Sequence, residues 1–96
     1  MGAVLSLWKG MIRTDPTMAE IVAQVAAEYG VTVDDIKSVW RTPEIVRPRQ
    51  DAMWRLRQQG RWTLPQIGRF LNRDHSTVIL GIRAHERRLG QNGELS

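Results

Sequence analysis

"LPQIGRFLNRDHSTVILGIR", residues 64–83, holds two short helical patterns with almost nothing between them. Leu64, Ile67 and Leu71 recur at i, i+3 and i+7, and a second stripe runs through Val78, Ile82, His85 and Leu89. Thr63 is placed to cap the first helix, Pro65 suits its first turn, and Asp74 is placed to cap the second. Asn72-Arg73 is the only connection, and Asn is, after Gly, the residue best able to take the left-handed conformation such a turn needs. Gly68, in mid-helix, signals a close crossing by another helix. Two helices joined this tightly make a helix-turn-helix.

Upstream, Met18, Ile21, Val22, Val25, Ala26 and Tyr29 form one stripe of a helix, with Thr17 and Glu20 as a capping box and Gly30 as the stop. Thr32 then caps a short helix carrying Val33, Ile36 and Val39 inward, with Asp34 and Asp35 in its positive first turn. A third helix buries Ala52, Met53 and Leu56 and ends at Gly60; Pro48 puts its start either near Val46 or, with a kink, at Pro43. Trp40, Trp54 and Trp62 are expected in the core, and His85 reads as a core histidine rather than a ligand. Gly90-Gln-Asn-Gly reads as a helix stop followed by a frayed tail over 90–96. Residues 1–16 form an apolar segment around Val4, Leu5, Leu7, Trp8 and Ile12, either folded back or docking a partner.

Ninety-six residues predict one domain, spanning 17–89. With no cysteine and two isolated histidines, neither a disulfide framework nor a metal site is expected. No stretch is apolar for the roughly 20 residues a membrane span needs, so a soluble cytoplasmic protein is the default expectation. The start Met-Gly-Ala-Val-Leu-Ser fits a myristoylation pattern only formally. Residues 41–88 carry eleven arginines against Glu44, Asp51, Asp74 and Glu86, a balance of +7, whereas residues 1–40 carry Lys9, Arg13 and Lys37 against five acids, a balance of −2. Twelve of the fourteen basic residues are Arg, whose planar fork suits phosphates and base edges, so nucleic acid is the partner to weigh against a merely solvated basic face. Arg47, Arg61 and Arg73 are candidates for phosphate contacts.

If Asp74 caps the last helix, His75, Ser76 and Thr77 occupy its first turn, where a recognition helix presents side chains to the major groove. Asp accepts from cytosine N4, Ser and Thr donate or accept, and a Thr methyl packs on that of thymine. Neighbouring helical residues point about 100° apart, so the same run cannot line up as a catalytic relay. The preceding helix would cross the sugar-phosphate backbone, with its amides near Leu64 and Pro65 aimed at a phosphate.

"IVRPRQDAMWRL", residues 45–56, together with the stretch at 64–83, resembles the C-terminal DNA-binding domain of the bacterial replication initiator DnaA, in order and spacing, from about the first helix to Leu89. The resemblance implies an all-α fold with a helix-turn-helix, of the DnaA C-terminal, Trp-repressor-like kind. It implies that Asp74, His75, Ser76 and Thr77 read bases and that Arg41 enters the adjacent minor groove. It further implies that Arg49 and Gln50 contact phosphates, that Leu64-Pro65 meet the backbone, and that Gly81, in place of a small alanine, approaches the groove. Leu80 for a frequent His, Ala84 for a frequent Lys and His85 for a buried Ile are departures.

The 96 residues contain no G-x-x-x-x-G-K-[ST] phosphate loop, so no nucleotide or other cofactor is expected, nor ATP-driven assembly. Double-stranded DNA is the expected partner, with a protein partner possible through the N-terminal segment or the first helix. The use expected first is transcriptional regulation, since such a reader occupies or blocks a site without opening an origin. The alternatives are replication control, by marking or competing for initiator sites, and a protein-interaction module. No nucleophile–base pair or metal set points to an enzyme.

Overall fold

A computed structural model describes residues 15–95. Among the described residues there are five α-helices and no strand: α1 Met18–Tyr29, α2 Val33–Lys37, α3 Pro43–Gln58, α4 Leu64–Phe70 and α5 His75–Leu95. This is the all-α class that the periodicity predicts. The apolar segment around Trp8 and the formal acylation pattern at Gly2 lie outside the described residues.

The helix starts follow from local side-chain chemistry. Thr17 Oγ1 accepts the Glu20 amide at 3.1 Å while the Thr17 amide donates to Glu20 Oε1 at 2.7 Å, and Thr32/Asp35 and Thr63/Gln66 repeat the same box at α2 and α4. Each box satisfies donors that the first turn leaves orphaned. Gly30, at φ 70°, ends α1 in the left-handed conformation. α3 takes the earlier of its two possible starts, with Pro43 in its first turn and Pro48 inside the helix.

α3 is the central helix and touches each of the other four. Val22, Val25, Ile36, Ala52, Leu56, Ile67, Leu71 and Val78 have no exposed surface, so every helix commits at least one side chain to a single core. Beside that core, Asp51 on α3 gathers a polar cluster. It accepts from the Tyr29 hydroxyl at 2.7 Å and from Arg55 Nε at 2.8 Å, and Arg55 reaches on to Glu28 at 2.7 Å. His85 Nε2 lies 3.6 Å from Asp51, with the Trp54 ring 5.2 Å away, so the polar ring on the apolar stripe of α5 has a polar neighbour as well as an apolar one.

Three expectations are corrected. α2 closes after one turn because the Ser38 hydroxyl donates to the Asp35 carbonyl at 2.6 Å and accepts the Trp40 amide at 3.2 Å. The chain therefore swings outward, and Val39 and Trp40 are 84% and 62% exposed instead of entering the core. Gly90 is not a stop: α5 continues to Leu95, and Gly30 and Gly60 alone among the described glycines have positive φ. A glycine with helical dihedrals weakens a helix by about 1 kcal/mol relative to Ala, which is not enough by itself to end one.

Candidate nucleic-acid interface

The turn between α4 and α5 is built by two backbone devices. Asn72 takes φ 60°, the left-handed value that its position predicts. The Arg73 amide then donates to the Gly68 carbonyl at 2.7 Å, and the chain passes so close to α4 that a Cβ at Gly68 would overlap the Arg73 carbonyl oxygen. The glycine thus admits the turn itself, where a crossing helix was expected. Asp74 caps α5 by accepting the Thr77 amide at 3.0 Å, and hydrogen bonds from Thr77 hold its carboxyl below the usual carboxylate range. His75, Ser76 and Thr77 follow with exposed side chains.

Thr77 faces a concavity between α5 and the chain entering α3. Arg41, Gln50, Arg73, Leu80, Ala84 and Arg87 line it with Thr77, and no carboxylate does. Arg41 is exposed, so the structure brings a solvent-accessible cation from one side and the first turn of α5 from the other to a single basic cleft. Gln50 Oε1 is buried there without a hydrogen-bond partner among the described residues. Leu64 is half-buried and Pro65 exposed at the start of α4.

Four of the expected residues have structural partners, and three of them, Arg49, Arg73 and Gly81, also line the cleft. Arg49 is 5% exposed, and its guanidinium serves the end of α2: Nε donates to the Ile36 carbonyl at 2.7 Å and Nη2 to the Ser38 carbonyl at 2.8 Å. Burial, with the charge of Arg73 nearby, brings its pKa down to about 10. It is a structural cation, because orphan carbonyls at a helix C-terminus need donors and the fork supplies several. Arg73 donates to the Leu71 and Asn72 carbonyls at 3.3 and 3.0 Å and also to the Ser38 carbonyl, so it fastens the turn while still lining the cleft. Gly81 is buried against α3 at the floor of the cleft, where a Cβ would overlap Met53 Sδ, so it permits a close helix crossing. Arg61 stacks over the Trp62 ring at 4.3 Å and donates to the Pro16 carbonyl.

Arg47 is exposed but borders a separate hollow with Tyr29, Pro43 and Glu44. Arg87 was missed as a cleft residue, and Leu80 was noted only as a departure from the family pattern. Their signal was present: Thr77, Leu80, Ala84 and Arg87 fall at i, i+3, i+7 and i+10, a second stripe of α5 beside the apolar one. Among the described residues no group of three His, Cys, Asp or Glu side chains is placed to hold a metal ion, and no helix is long and apolar enough to cross a membrane.

The sequence profile of the family described as "Bacterial dnaA protein helix-turn-helix" matches residues 18–84, from the start of α1 into the middle of α5. The chain is 40% identical over 79 residues to the chromosomal replication initiator protein DnaA of Deinococcus radiodurans, which covers 82% of the chain and 17% of that protein. It is 46% identical over 77 residues to the DnaA of Streptococcus equi subsp. zooepidemicus, covering 79% of the chain and 17% of the relative. Against DnaA 1 of Chlamydia pneumoniae it is 39% identical over 83 residues, covering 86% and 18%. The chain thus spans less than one fifth of the length of these relatives.

Proposed function

The chain belongs to the bacterial DnaA helix-turn-helix family, and on that premise we propose that it binds double-stranded DNA sequence-specifically in the service of replication control. The observation that carries this reading is the basic cleft, which joins Arg41 to the exposed first turn of α5 and has no carboxylate in its lining. Inserted in the major groove, α5 offers His75, Ser76 and Thr77 to base edges, while Asp74 divides its carboxylate between the cap and any base donor. Arg41 reaches the neighbouring minor groove, where an A·T-rich step is narrow and strongly negative. Gln50 and Arg87, inside the cleft, meet the sugar-phosphate strand that runs between the two grooves, and Leu64-Pro65 lie against the backbone on the other side. The reading is one of binding in the bacterial cytoplasm, at the nucleoid, with no catalytic step.

Transcriptional regulation, the use that the residues alone suggest first, gives way here. The matched relatives are named as replication initiators, which favours occupancy of initiator sites, by marking or by competition. The test is selection of duplexes from a random pool, with the stoichiometry of the complex measured, followed by competition against a full-length DnaA for its own site. A selected sequence that full-length DnaA also binds, and displacement at that site, are expected. A chain that enriches no sequence overturns the reading; one that enriches a site DnaA ignores returns it to transcription.

A further inference from the structure

Leu80 is 64% exposed, an aliphatic side chain projecting from α5 among cations. At about 100° per residue it stands about 40° round the helix from Ser76 on one side and about 60° from Thr77 on the other, so it continues the face that those residues begin. It lies one turn further along, about 4.5 Å beyond Thr77 at 1.5 Å per residue, and adjacent base pairs are separated by about 3.4 Å. A helix seated with Thr77 at one base pair therefore brings Leu80 to the next pair or the one after it. The same cleft carries Arg41, Arg73 and Arg87 and no acid, which suits a polyanion and disfavours an apolar protein surface.

The only apolar group that a major-groove edge offers is the C5-methyl of thymine. We propose that Leu80 is a specificity-determining residue of this chain, reading a thymine methyl one or two base pairs beyond the step met by Thr77. The inference rests on the DNA-binding reading above. An imidazole at this position would instead ask for a hydrogen-bonding base edge, so two chains alike through Asp74–Thr77 but differing at 80 should prefer different bases at that one place.

The experiment takes the full chain and the duplex selected from the random pool, and replaces each thymine singly by deoxyuridine, which removes the methyl group and nothing else. For the wild type, affinity should fall about fourfold at one thymine in the major-groove half of the site, equivalent to about 0.8 kcal/mol for a methyl group taken from contact back to water. Leu80→Ala should lose the sensitivity at that thymine and keep the rest of the profile, with unchanged helicity because the side chain is exposed. Thr77→Ser removes the other candidate methyl contact and should leave the Leu80-dependent thymine sensitive. A wild-type profile without a sensitive thymine, or a Leu80→Ala profile identical to the wild type, overturns the assignment of Leu80 while leaving DNA binding intact. A pool that yields no preferred duplex overturns the DNA reading itself, and this inference with it.

Discussion

Replacing Arg49 with Ala separates a structural cation from a phosphate contact. In the folded protein the side chain makes hydrogen bonds of 2.7 and 2.8 Å to the Ile36 and Ser38 carbonyls and a longer one of 3.4 Å to Asp35, while remaining 5% exposed. Hydrogen bonds from a charged donor contribute about 1.5–3 kcal/mol each, which puts the two short ones at roughly 3–6 kcal/mol. Against that stands the desolvation that pulls the guanidinium pKa down to about 10, and the Ser38 carbonyl also keeps its bond from Arg73. A net loss of about 2–4 kcal/mol is expected, which lowers the melting temperature of a domain this size by roughly 10–25 °C. Arg49→Lys should recover part of it, since an ammonium retains the charge but not the fork. Urea unfolding gives the stability, and duplex binding across a salt series, measured where the variant is folded, gives the slope. A variant as stable as wild type, with the slope of log K against log salt shallower by about 0.9, would refute the structural role and restore the phosphate contact.

Gly68→Ala should destabilise by about 1–3 kcal/mol, since the overlap with the Arg73 carbonyl outweighs the gain of about 1 kcal/mol in helix propensity; Gly90→Ala, with no atom within 4 Å of the added Cβ, should be neutral or stabilising by up to about 1 kcal/mol. Chemical denaturation of the two variants side by side reads the contrast, and a stabilised Gly68→Ala would contradict the turn geometry. His85 is held below its ordinary pKa chiefly by burial, so the unfolded chain binds the proton more readily: stability is full above about pH 6.5 and declines as pH falls through that value towards the folded pKa. His85→Ile should flatten the stability profile between about pH 7 and pH 5, and an unchanged profile would assign the slope to another group. His75→Ala should leave helicity and non-specific binding intact and weaken the selected duplex by about 1–3 kcal/mol, read by titration against selected and scrambled duplexes at equal salt; full retention of the preference removes His75 from the readers.

The elements most legible in the sequence were those specified within a turn or two of chain. The capping pair Thr17/Glu20, the Thr63 and Asp74 caps and the left-handed Asn72 depend on neighbours three or fewer positions away, and each is found where the spacing puts it. The apolar stripes held for the same reason except at their ends, where Tyr29, Val39 and Leu89 are exposed. Misreadings arose where a distant backbone group decided the outcome. Arg49 reads as a surface cation until α2 ends 11 residues upstream and presents its carbonyls to it. Trp40 and Val39 read as core until Ser38 closes α2 and turns the chain out. Gly81 is small because Met53, on another helix, is large. For the site, the first turn of α5 was legible as a motif. The cleft was not, because its walls come from α3, α5 and the strand of chain between α2 and α3.

The Ser38 carbonyl receives a guanidinium from Arg49 on α3 and another from Arg73, the residue before the cap of α5. One oxygen thereby pins the root of α5 to the stretch of chain that leads, three residues later, to Arg41. On a double helix, such a joint would make Arg41 and the first turn of α5 the two locked jaws of a caliper. One additional base pair between the minor-groove step and the major-groove motif shifts the far mark by about 3.4 Å and rotates it by about 34–36° around the axis. A locked caliper cannot follow that change of phase, so the intervening length of a target site should be as tightly fixed as its letters.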